Sequence, residues 1–349
     1  MSKMTSAPSR EKNVPSLDLL RSYAIASVLL GHSVNAFGSP PALTPLRIGG
    51  TGVDLFFILS GWLLGSQLMR ELSANGTIRF GRFWSRRWMR TLPAYYAVLA
   101  ATFFQQAVSG KQAAWEWSYL FFGQNYLTGL PFLYITWSLC VEEHFYLLVA
   151  PLLLFAFKLR RWGIVALLIV MVVPFICRTF GLYGHIGETH VRFDECLFGV
   201  LLAGLSVFFP AIWSRLCALA PAIASVAAAF FGWFLFSRWY PAYRIPLDEQ
   251  TICLIIFGSF VLLAVSSEAW KKRLYFPGCG YLAKRAYSVY LLHPESLALL
   301  KKLHIESFPL FLLLAWVITL AGSEVLYRLV EKPIMNAREW FRFSESSKL

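Results

Sequence analysis

Apolar blocks of about 20 residues alternate with short polar stretches along the chain, and about 20 helical residues are what a bilayer's hydrocarbon core requires. The pattern predicts ten spans, near residues 17–37, 50–69, 91–109, 136–157, 162–180, 194–210, 217–236, 250–266, 283–300 and 308–330. The expected fold is an all-α, polytopic membrane helix bundle of about ten transmembrane helices. No short-period repeat, low-complexity tract or long linker divides it. A single membrane domain, 15–335, is expected between short tails at 1–14 and 336–349.

Composition strengthens this reading. With 57% apolar and 15% charged residues, a water-soluble globule of this size would lack polar surface to cover itself. The first span follows Lys3, Arg10 and Lys12 with no small-residue cleavage site after it, so it is expected to stay as an anchor. Lys and Arg crowd alternate loops, in 70–90, 158–161 and 271–285, and thin out in the others, which predicts both termini on the cytoplasmic side. That bias accounts for most of the +13 net charge, so no nucleic-acid partner is inferred from it. Six cysteines lie scattered, without metal or disulfide spacing; packing is their expected role, and no metal is expected.

Ionisable groups within spans are costly and mark a wet cavity or bundle interior. Arg21 and His32 share the first span. Eleven residues apart, they fall within about 20° on one helix face and about 16 Å along the axis. Arg21 can also pair with Asp18, and His32 can be a packed core histidine. The second span begins Gly49-Gly50-Thr51-Gly52-Val53-Asp54: its glycines suit close helix packing, and Asp54 needs a cationic partner. Arg86, Arg87 and Arg90 occupy an amphipathic stretch with Trp84 and Trp88. It suits either binding to acidic headgroups or clamping an anionic phosphate. Glu142 and Glu143 sit beside His144 in the fourth span, about 100° apart, so at most one faces a given site. Arg192 and Asp194 are expected to form a buried pair fixing helix register. Tyr290 and His293 precede Pro294, which frees a backbone carbonyl in span nine. Trp115, Trp117, Tyr119 and Tyr126 suit interfacial anchoring better than sugar stacking.

Taken in order, these residues resemble the membrane acyltransferase-3 family. Arg21 and His32 match its Arg-x10-His signature, and Val53-Asp54-Leu55-Phe56-Phe57-Ile58-Leu59-Ser60-Gly61 its second-helix motif. Arg87-x-x-Arg90 before Leu92-Pro93, Trp137-Ser138-Leu139 with Glu142-Glu143, Arg192-x-Asp194, and Tyr287-Ser288 through His293 complete the set, over about residues 15–335. The resemblance implies a bacterial inner-membrane enzyme that uses acyl-CoA, often acetyl-CoA, to O-acylate a saccharide or glycoconjugate. Some members carry a fused hydrolase-like domain; this chain looks like the standalone form. His144 stands where the family commonly has Gln.

The expected mechanism follows. Arg87 and Arg90, helped by Arg86 and Arg21, hold the donor's phosphates. His32 serves as general base on the acceptor hydroxyl, and a carboxylate from Glu142, Glu143 or Asp54 orients its ring. A covalent acyl-histidine relay stays open. The alternative is a proton-coupled transporter using His32, Asp54, Glu142 and Glu143 as its relay.

Overall fold

The computed structural model describes residues 14–109, 116–127, 129, 130, 132–159 and 161–337. Apart from Val14, Asn336 and Ala337, the expected tails lie outside these residues, as do Lys111, Trp115 and Arg160. The described chain is all-helical: α1 (Pro15–Ala36), α2 (Gly52–Asn75), α3 (Phe80–Val108), α4 (Trp137–Lys158), α5 (Arg161–Thr179), α6 (Phe193–Phe208), α7 (Pro210–Trp239), α8 (Glu249–Ser266), α9 (Glu268–Arg273), α10 (Cys279–Lys301) and α11 (Phe308–Leu326). Every expected span falls on one of these helices. Six segments are long and apolar enough to cross a membrane, those of α2, α4, α5, α7, α8 and α11. Of the others, α6 has only 16 residues, while α3 and α10 carry their charges inside the helix.

The centre is built from α1, α2, α4, α6 and α10, with α2 packed most extensively on α6 and α1 on α10. Glycine explains how closely the backbones approach. A Cβ on Gly61 would stand 1.9 Å from the Cys196 carbonyl oxygen, and one on Gly199 2.2 Å from that of Ile58. The Gly49-to-Gly52 run does the same against α1, since a Cβ on Gly52 would meet the Ala24 carbonyl at 2.3 Å. In lipid, where tails are as apolar as leucine, such small-residue contacts hold helices together. The packing reading of these glycines is therefore the correct one.

Helices α5, α7 and α11 form the rim. Their spans are only 17% to 22% buried, against 67% for α2, and they point Trp162, Ile169, Val226, Trp233 and Leu313 outward. An apolar surface of this kind is fitted to lipid. Tyr119, grouped with the interfacial aromatics above, is instead buried, with its hydroxyl donating to the Phe132 carbonyl at 2.5 Å. Trp117 and Tyr126 are exposed.

Candidate functional site

The N-terminal end of α1, the C-terminal ends of α2 and α8, and the N-terminal ends of α3 and α10 share one face of the bundle. Between them opens a vestibule of about 380 Å³ lined by Arg21, Arg70, Arg90, Lys271 and Lys284, with Asp18 as its acidic member. Asp18 accepts from Arg21 at 3.1 Å, so the expected one-turn pair forms. Arg21, Leu63, Arg90 and Ala283 also line a second cavity, of about 120 Å³, which runs into the bundle between α2, α3, α4 and α10.

That inner cavity collects residues from five separate stretches of chain: besides Arg21 from α1, it takes Arg87, Arg90 and Thr91 from α3, Ser138, Glu142 and Tyr146 from α4, Tyr287 and Tyr290 from α10, and Ser60 from α2. The spacing of Arg87 and Arg90, one turn apart on α3, puts both guanidinium groups on this wall. Arg87 donates to Gln67 Oε1 at 3.2 Å. Arg86 lines neither cavity.

The paired glutamates part as helix geometry requires. Glu142 faces the cavity, where the Tyr146 hydroxyl donates to it at 2.9 Å. Glu143 turns the other way and accepts from the Thr91 hydroxyl at 2.7 Å. His144 turns away as well, with Nδ1 2.6 Å from Thr189 Oγ1.

Tyr290 closes the inner cavity, its hydroxyl 2.5 Å from Ser138 Oγ and donating to the Ile135 carbonyl at 2.9 Å. Tyr290 also packs against His293, with ring centroids 5.5 Å apart. His293 in turn meets His32, Nε2 to Nδ1, at 2.7 Å. The two imidazoles thus stand one side chain behind the cavity lining. His293 is fully buried and His32 half-buried, with the Tyr134 ring steeply inclined to that of His32 and their centroids 5.7 Å apart.

Two expectations need correction. No carboxylate hydrogen-bonds His32 among the described residues; its partner is His293. Asp54 instead accepts from Arg192 at 2.7 Å, in a buried cluster that Glu195 completes at 3.2 Å. Nor do Arg192 and Asp194 pair with each other. Asp194 takes a bidentate bond from Arg178, at 2.7 and 3.1 Å, and Asp248 binds the same guanidinium at 2.8 Å. Arg192 lies over the rings of Trp137 and Phe57, at 5.1 and 5.4 Å. Two residues apart in a chain just entering a helix, Arg192 and Asp194 point to different neighbours, so each finds its partner on another element.

Sequence reasoning missed Arg178, Glu195, Gln67, Thr91 and Tyr146. For Tyr146 the signal existed, since it follows Glu142 by four residues and so shares its helix face. Glu195 likewise follows Arg192 by three residues and pairs with it, whereas Arg178, Gln67 and Thr91 bond to residues far away in the chain. Among the described residues, no three His, Cys, Asp or Glu side chains gather as metal ligands.

With this geometry in hand, comparison with known proteins decides the family. Residues 14–328 match the acyltransferase domain of the acyltransferase-3 model. The chain belongs to the acyltransferase-3 family. It is 27% identical over 327 residues to the peptidoglycan O-acetyltransferase OatA of Listeria monocytogenes, covering 83% of this chain and 50% of that one. It is 26% identical over 364 residues to the O-acetyltransferase OatA of Staphylococcus aureus, covering 92% and 57%. The chain therefore spans about half the length of these relatives. No solved structure matches it.

Proposed function

We propose that this acyltransferase-3 chain moves an acyl group, acetyl in the simplest case, from acyl-CoA to a hydroxyl of a carbohydrate acceptor. It would do so as a ten-span protein of the bacterial inner membrane with both termini cytoplasmic. One observation carries the reading: a vestibule with five cationic side chains narrows to a cavity walled by Arg87 and Arg90 and ends at Tyr290, with His32 and His293 immediately behind. Phosphates and a thioester arm have opposite needs, the first a cluster of guanidinium and ammonium donors, the second a narrow polar path. Their sequence along the site matches the order of groups in acyl-CoA.

In this reading Arg87, Arg90 and Arg21 bind the donor, and Glu142 with Tyr146 holds the polar wall along the arm. His32 removes the acceptor's proton. Asp54, Arg192 and Asp194 serve the fold. The relatives' names make a peptidoglycan strand the first acceptor to test. The transporter reading loses ground because Asp54, one link of its relay, is tied to a buried arginine.

The test is thiol release and label transfer from radiolabelled acetyl-CoA by the protein in lipid vesicles, with peptidoglycan fragments and other saccharides offered as acceptors. His32→Ala is expected to lower transfer by about 10²- to 10⁴-fold while the protein still inserts and binds donor. Transfer at the wild-type rate by that variant would reject the base assignment. Proton-coupled solute uptake with no thiol release would favour the transporter.

A further inference from the structure

The geometry points to His293 as the positioning residue of this site: it decides which nitrogen of His32 holds a proton and leaves the other as the base. The inference rests on the assignment of His32 just made.

Pro294 lies inside α10 and has no N–H, so the carbonyl four residues earlier, that of Tyr290, loses its helical donor. His293 supplies one from its side chain, with Nδ1 2.7 Å from the Tyr290 oxygen. A carbonyl only accepts, so Nδ1 of His293 carries the proton. A neutral imidazole protonated at Nδ1 presents a lone pair at Nε2. That Nε2 lies 2.7 Å from Nδ1 of His32; His32 must therefore donate from Nδ1, and its own Nε2 is left with the lone pair.

Ring orientation agrees with this chain of bonds. The two imidazoles are inclined by only 12°, with centroids 4.9 Å apart, a separation that exceeds the N···N distance by roughly one ring width. The rings therefore meet along their planes, where lone pairs and N–H bonds point. A doubly protonated His293 would reverse the assignment. It is excluded by burial, since His293 is 0% exposed and, among the described residues, no carboxylate pairs with either imidazole.

The chemistry balances. Nε2 of His32 takes the hydroxyl proton as the acceptor oxygen bonds to the thioester carbonyl carbon. The imidazolium so formed keeps its Nδ1–H on the His293 lone pair, which strengthens as a charge-assisted bond. The C–S bond then breaks, its electron pair leaves on sulfur, and the thiolate takes the proton back from Nε2. The products are an ester and a free thiol, with both histidines neutral again. A neutral imidazole thus does the orienting that a carboxylate does in a hydrolase triad.

The test uses ¹⁵N-histidine solid-state NMR on the full chain in lipid vesicles, with His32→Ala to assign the His32 signals. Kinetics of His293→Gln and His293→Leu are measured alongside. The wild type is expected to show His32 protonated at Nδ1 and bare at Nε2. The Gln carbonyl oxygen can accept where Nε2 did, so that variant should keep the tautomer and most of kcat. The Leu variant should show mixed tautomers and a kcat lower by about 100-fold, with unchanged binding of acetyl-CoA. A wild-type His32 protonated at Nε2 overturns the proposal, whatever the variants do. So does a Leu variant with normal kcat, or a Gln variant as impaired as the Leu one. Should His32→Ala remain active, the base assignment falls, while the NMR spectrum still reads the hydrogen-bond chain on its own.

Discussion

Two groups of arginines in this bundle are completed in different ways. Arg178 and Arg192 are buried to 2% and 4% side-chain exposure, and each is surrounded by carboxylates of the chain: Asp194 and Asp248 for the first, Asp54 and Glu195 for the second. Arg21, Arg87 and Arg90 line open cavities. Arg21 pairs with Asp18 at the vestibule end, and Arg87 donates to the Gln67 side-chain oxygen. A guanidinium in low dielectric must be matched, and where the fold supplies the match the residue belongs to architecture. Where a guanidinium also lines a cavity, it faces space that an anion from outside can enter. The motifs Arg192-x-Asp194 and Arg87-x-x-Arg90 both carry arginines into the bundle, and their surroundings differ: carboxylates of the chain around the first, a cavity beside the second.

The comparison can be broken most decisively at Arg192. Arg192→Leu strands the Asp54 and Glu195 carboxylates in the interior, and a loss of about 3–5 kcal/mol is expected, read as a collapse of the folded fraction in detergent melts. A variant of normal stability would show that this cluster does not hold the bundle together. Arg87→Gln should leave the melt unchanged and raise the KM for acetyl-CoA by about tenfold, the worth of one charge-assisted bond. A fall in stability without a change in KM would place Arg87 with the architectural group. The smallest effect is expected at Asp248, the more exposed partner of Arg178 at 26%. It also caps α8, accepting from the Thr251 backbone N–H at 3.0 Å, and asparagine can keep that cap. Asp248→Asn should therefore cost under about 1 kcal/mol, because Asp194 still neutralises Arg178; a loss as large as that at Arg192 would mean that both carboxylates are needed.

Much of the fold is legible in the chain. Each of the ten expected spans falls on a helix, because a run of about 20 apolar residues has few alternatives to helix in lipid. The glycines before and within α2 announce close packing by their lack of a side chain. His32 turns toward α10, against His293, while Arg21 lines the vestibule at the other end of α1 and pairs there with Asp18. Less legible was the partner of each charge. Sequence distance says nothing about which carboxylate crosses the bundle to which arginine. Asp54 and Arg192 are 138 residues apart, and the Arg178 that takes Asp194 sits at the end of a span with no motif to mark it.

What the sequence determines by itself is therefore the kind of solvent, the helices, and the types of group available for chemistry, all of which follow from local composition and the 3.6-residue period. Tertiary structure alone decides how those groups are shared between fold and function. Only packing shows that Glu142 turns to the cavity and Glu143 to Thr91, that Asp54 is committed to Arg192, and that His32 meets a histidine where a carboxylate was expected. The physical reason is common to all of them: a buried polar group is defined by its partner, and these partners lie on other helices.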